Sequence, residues 1–157
     1  MSRHILALDP GTTQTAWVYL VGGVPLSHGK WTNEEVLSKV KASPIGDELL
    51  AVEAVASYGM PVGAEVFETV FWSGRFVQAY DGPHVRVFRR EVKLHLCASP
   101  RANDASIRQA ILDRFGGKDA AIGRKASPGP LYGIRADEWA ALAVGLTVWD
   151  REREAAA

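Results

Sequence analysis

Near its N-terminus the chain runs Ile5-Leu6-Ala7-Leu8-Asp9-Pro10-Gly11-Thr12-Thr13. The four apolar residues read as a strand buried on both faces. They end on a single carboxylate, and Pro-Gly then breaks the strand into a tight turn. An Asp at the tip of a central strand is poorly placed for packing, because carboxylates are seldom buried unpaired. It is well placed to hold a metal ion, and Gly11 leaves room for a phosphate or another backbone to approach closely. The plainer reading is that Asp9 only accepts hydrogen bonds from the turn at Gly11 to Thr13.

A second carboxylate repeats the pattern. Glu53 closes the run Leu49-Leu50-Ala51-Val52, in a fourth strand read from Glu48 to Val55. Two acids on two buried neighbouring strands repel in a low-dielectric site unless a cation sits between them. Pairing of Glu53 with a nearby Arg is the competing explanation. Asp-Pro-Gly-Thr-Thr is also similar to the first nucleotide loop of actin-like ATPases and sugar kinases. Those folds need two such domains, and 157 residues is the length of one.

The chain is 47% hydrophobic and 23% charged, enough for a real core in a single domain spanning 1–157, with a frayed Ala-rich tail expected beyond about residue 150. Its net charge is zero, so bulk charge announces no polyanion partner. The balance hides an asymmetry. Residues 34–74 hold seven acids and two bases, whereas residues 75–125 hold eleven bases and five acids. That second span is a candidate polyanion-binding face. The single Cys97 fits a reducing compartment, and no apolar run is long enough to cross a membrane. A cytoplasmic location is expected. His4, His28, His84 and His95 are scattered, so no zinc cluster is indicated.

In chain order, Gln14–Val21 reads as a second strand, Gly22-Gly23 as a hairpin turn, and Val24–Trp31 as a third strand with an irregularity at Gly29. Thr32 and Glu35 form a capping box for a helix ended by Ser43-Pro44-Ile45-Gly46. Tyr58-Gly59-Met60-Pro61 is a loop, in which Tyr58 and Met60 are candidates for contact with a base. A helix over Val62–Tyr80 puts most of its aromatics in the core. His84–Phe88 is a fifth strand, Asn103 caps a helix from Asp104 to Phe115, and Gly123–Gly133 is a mobile loop. The last helix begins near Arg135 and is apolar nearly all round, hence buried; Asp137 and Glu138 in its first turn either serve the helix dipole or reach a metal site.

This order of elements, with acids at Asp9, Glu53 and Asp137, resembles RuvC-like Holliday junction resolvases of the ribonuclease H-like superfamily, and most of all their phage-encoded members. The carriers are Leu8-Asp9-Pro10-Gly11, Val52-Glu53 and Asp137-Glu138-Trp139-Ala140-Ala141-Leu142-Ala143. The resemblance runs from Ile5 to about Trp149. It implies an α/β fold with a central mixed five-stranded sheet flanked by helices. It implies a homodimeric, magnesium-dependent endonuclease that cuts four-way and other branched DNA in recombination and repair, with no organic cofactor. Asp9, Glu53 and Asp137 match the family's metal-binding carboxylates. A further family Asp is replaced by Ala140, which leaves open whether Glu138 takes part. Clustered carboxylates suit magnesium, with manganese as substitute. Arg89, Arg90, Lys93, Arg101, Lys118, Arg124 and Lys125 are the expected DNA contacts, with Tyr58 a weaker match to the family's junction-disturbing aromatic. If the gene is phage-borne, the compartment is the host cytoplasm. A ribonuclease H-like enzyme acting on RNA–DNA hybrids or flaps, and an inactive DNA-binding module, remain open.

Overall fold

The computed structural model describes residues 3–43 and 48–157. Strand β1 (His4–Asp9) pairs antiparallel with β2 (Gln14–Val21), which pairs antiparallel with β3 (Val24–Thr32). Helix α1 (Asn33–Ala42), strand β4 (Leu49–Ala54), helix α2 (Ala64–Ala79) and strand β5 (His84–Phe88) follow. β4 lies parallel to both β1 and β5, so the sheet is mixed, with strand order β3-β2-β1-β4-β5. Helices α3 (Arg89–Cys97), α4 (Asp104–Arg114), α5 (Lys118–Ile122) and α6 (Glu138–Ala156) complete the chain, with a two-stranded ribbon of β6 (Gly123–Arg124) and β7 (Ser127–Pro128) before α6. No described helix is long and apolar enough to cross a membrane.

Strand alternation sends successive side chains to opposite faces. Leu6 and Leu8 of β1, with Leu50 and Val52 of β4, pack against Val36 and Val40 of α1 and Trp72 and Phe76 of α2. Ile5 and Ala7, with Leu49 and Ala51, pack on the other face against α6 and α4. The same parity carries Asp9 and Glu53 to the α6 side. Helix α6 is buried from Glu138 through Asp150 except at half-buried Ala140. It comes so close to the sheet that a Cβ at Gly145 would lie 2.1 Å from Leu20 Cδ1 and 3.1 Å from Ala7 Cβ.

Several local expectations need correction. The β2–β3 irregularity falls between Tyr19 and Leu20 rather than at Gly29, whose bare Cα instead admits the Trp17 ring. Of the aromatics over Val62–Tyr80, Trp72, Phe76 and Tyr80 are buried as expected, but Phe67 and Phe71 are exposed. Residues 89–97 form a helix, started where Glu91 Oε2 accepts the Phe88 N–H at 2.7 Å. The expected mobile loop is a ribbon with Leu131 fully buried behind it. The last helix extends to Ala156. Ser43 caps α1, while Pro44, Ile45 and Gly46 lie outside the described residues.

Candidate active site

The parallel register pairs Leu8 with Val52, so Asp9 and Glu53 fall side by side at the ends of β1 and β4. Both line a cleft of about 760 Å³, together with Asp137, Arg89, Tyr58 and Trp139. Asp137 is the N-cap residue of α6 and reaches the cleft from the far side of the strand ends.

Burial, first of all, lifts the Asp9 carboxyl well above the usual carboxylate range. A hydrogen bond with Glu53 and the charges of Glu53 and Asp137 add to the rise, while Arg89 opposes it. The negative form of Asp9 is thus disfavoured where it meets Glu53. Arg89 Nη1 stands 3.4 Å from Glu53 Oε1, and its other terminal nitrogen contacts Asp104. Lys30 Nζ lies 2.6 Å from Asp137 Oδ2. Among the described residues no three His, Cys, Asp or Glu side chains are already gathered as ligands of one ion. Lys30 engages Asp137 through Oδ2. The donor set is all oxygen and carries repulsion that only a proton or a cation relieves, so these residues fit a hard divalent ion.

The chain is similar to Thermus thermophilus RuvC, with a TM-score of 0.64 at 17% identity over 96% of both chains. It is also similar to T. thermophilus RuvC in complex with a Holliday junction substrate, with a TM-score of 0.71 at 17% identity over 98% of this chain and 96% of that one. The chain has the RuvC fold. No protein-family model and no curated protein sequence matches it. At this identity the likeness to RuvC is one of backbone course, and roles for side chains rest on the cleft itself.

On this RuvC frame the other predicted residues separate. Glu138 does not line the cleft; it is buried, and its Oε1 lies 2.5 Å from His28 Nδ1. Tyr58 is 61% exposed and sits at φ 49°, in the left-handed region, next to Gly59 at φ 79°. Arg89 is the one predicted DNA contact, besides Tyr58, that lines the cleft. Arg90 and Lys93 lie on α3, Arg101 between α3 and α4, Lys118 on α5, and Arg124 and Lys125 on the ribbon. Arg114, one of the eleven bases of that span, is held by Asp150 through bonds of 2.7 and 2.6 Å.

Four residues escaped the sequence reading. His28 and Lys30 stand two apart on β3, so they share a face and grip Glu138 and Asp137 respectively. Arg108 and Trp139 meet across α4 and α6, with the guanidinium carbon 4.7 Å from the ring centroid. The only sequence signal was their alternation on β3 and the outward helical position of Arg108, neither of which names a partner.

Proposed function

We propose that this chain is a metal-dependent, structure-selective endonuclease that cuts phosphodiesters in four-way and other branched DNA. The observation that supports this most is the Asp9–Glu53 pair on adjacent strand ends, with Asp137 across one cleft. Asp9, Glu53 and Asp137 would hold magnesium or manganese, which supplies water activation and charge neutralisation at the leaving oxygen. Burial fixes Glu53 and Asp9 in place, and Arg89 steadies Glu53 from the side. Exposed Arg and Lys side chains of α3 to the ribbon neutralise backbone phosphates, which selects DNA by shape rather than by sequence. The RuvC solved with a Holliday junction supports branched DNA as the partner. The residues ask for no organic cofactor, and we place the activity in a cytoplasm, the host's if the gene is phage-borne.

A labelled four-way junction, a linear duplex and an RNA–DNA hybrid, each incubated with and without magnesium, test the reading. Magnesium-dependent nicking of the junction alone is expected. Preferential cutting of the hybrid would reassign the substrate. Tight junction binding without cutting in either metal would make the chain a binding module, a reading that Ala140 favours because it supplies no fourth acid.

Two symmetric nicks need two sites, which a twofold dimer supplies. Helix α2 has one apolar stripe in the core, Trp72 and Phe76, and a second facing outward, Phe67, Val70 and Phe71. We assign the outward stripe to the dimer contact. Phe67→Glu with Phe71→Glu is expected to convert a dimer to a folded monomer in sedimentation at micromolar concentration. A monomeric wild type that stays monomeric on DNA contradicts the assignment.

Charge reversal at Arg90 or Lys93 probes the basic face. Junction affinity should fall and the log–log salt slope should flatten by about one unit per lost phosphate contact. Melting temperature should barely move for exposed Arg90. An unchanged slope would move the DNA-binding face elsewhere.

A further inference from the structure

The cleft does not end at its carboxylates. Beside them lies an apolar recess walled by Val92, Ile107, Trp139, Ala143 and Val144, with Arg108 at its mouth. None of these five walls can hold a cation or grip a phosphate. The whole cleft, at about 760 Å³, falls in the ~300–1,000 Å³ range of pockets that enclose an organic molecule, far more than a metal site needs.

Two further observations say what fills it. Trp139 is 8% exposed, yet its Nε1 is buried with no hydrogen-bond partner among the described residues. Buried indole N–H groups normally find an acceptor, so this one is a donor still waiting for a partner. Exposed Arg108 occupies the face of the same indole, 4.7 Å from its centroid. That cation–π contact is the one side-chain interaction of Arg108 seen among the described residues. Arg108 can therefore move to a backbone phosphate and leave the indole to a base.

We propose that this recess takes one unstacked nucleobase of the branched DNA, from a nucleotide next to the phosphate that is cut. Trp139 offers the edge of the base its N–H donor, Ile107 and Val144 offer apolar walls to its faces, and Arg108 closes over the sugar–phosphate. Every base carries ring-nitrogen or carbonyl acceptors on its edge, so one donor serves all of them. Branch points supply such bases cheaply, because pairing and stacking are already interrupted there. The recess would then add to branch selectivity, since a base in intact duplex must be pulled from its stack to enter. This inference rests on the nuclease reading above and extends it.

The test is a four-way junction with 2-aminopurine placed in turn at each position around the crossover, titrated with the whole chain in metal-free buffer. Base fluorescence reports unstacking, and anisotropy of a distant dye reports binding in the same sample. At one position the wild type is expected to raise base fluorescence by about twofold or more. Ala105, which is exposed and lines the cleft on the Arg108 side of α4, gives a variant that blocks the recess without touching the core. Ala105→Trp should bind the junction and lose the rise. Trp139→Phe, which keeps a ring but has no N–H, should weaken the response by about tenfold in concentration. Binding and magnesium-dependent cutting with no fluorescence rise at any position would overturn the base site and leave the nuclease reading standing. A full rise in Ala105→Trp would also overturn it, because unstacking would then occur elsewhere. Absence of both junction binding and cutting would overturn the two together.

Discussion

Asp9→Asn is expected to abolish cleavage, to leave junction affinity within about twofold of wild type, and to raise the melting temperature of the metal-free protein. The three effects have separate causes. Cutting is lost because a neutral amide cannot share a divalent ion with Glu53. Binding survives because the phosphate contacts we propose lie on the basic helices and ribbon rather than on Asp9. Stability rises because burial, the bond to Glu53 and the charge of Asp137 all act against an ionised Asp9. Removing that conflict is worth about 1–2 kcal/mol, or about 2–8 °C for a domain of this size. Glu53→Gln should be equally inactive but gain less, since Arg89 then keeps only Asp104 as a partner. Junction-cleavage assays and thermal melts on the same preparations check this. Full cutting by either variant would remove the proposed metal site.

The second large effect separates two neighbouring acids. Asp137→Asn should lower cleavage by orders of magnitude with little change in stability, because Asp137 lines the cleft and its pair with Lys30 is solvent-exposed. Glu138→Gln should cost activity about tenfold or less, the effect of a residue that positions its neighbour rather than one that binds the ion. Glu138→Ala should instead lose about 1–3 kcal/mol of stability, since it strips His28 of its buried partner. Activity and melting temperature thus respond to different members of the pair. A dead Glu138→Gln beside an active Asp137→Asn would mean that α6 enters the cleft one residue out of the register described.

How much of this was legible beforehand follows from what kind of interaction fixed each feature. The two central strands were readable because burial on both faces leaves unbroken apolar runs, and the acids closing those runs were conspicuous against them. Thr32 and Asn103 were readable as caps because their bonds, to the N–H groups of Glu35 and Ser106, are local. Helix α3 was not, since Arg-Arg-Glu-Val-Lys has little periodicity and Val92 is its only buried side chain. The outward stripe of α2 has the same composition as an inward one, so sequence alone does not say which of its aromatics face out. The partners of Glu138 and Asp137 sit 110 and 107 residues away on an edge strand. No window along the chain contains both ends of such a contact. The Arg108–Trp139 stack is hidden in the same way.

The tight crossing of α6 over the sheet makes position 145 a ruler. Gly145 lies eight residues beyond Asp137, about 12 Å along the helix axis, and touches nothing in the cleft. Yet the missing side chain there sets how near the helix rests to the strand that carries Asp9. A single methyl group at that crossing would have to displace the Leu20 side chain or ease the helix away from Ala7, and a helix that moves as a rigid rod carries such a shift along its length. The spacing between the third acid and the first two is thus held by an absence of atoms a dozen ångströms away. Among natural variants of this chain, tolerance at position 145 should track the demand for cutting, so that copies freed from that demand accumulate Ala or Ser there before their cores show any other change.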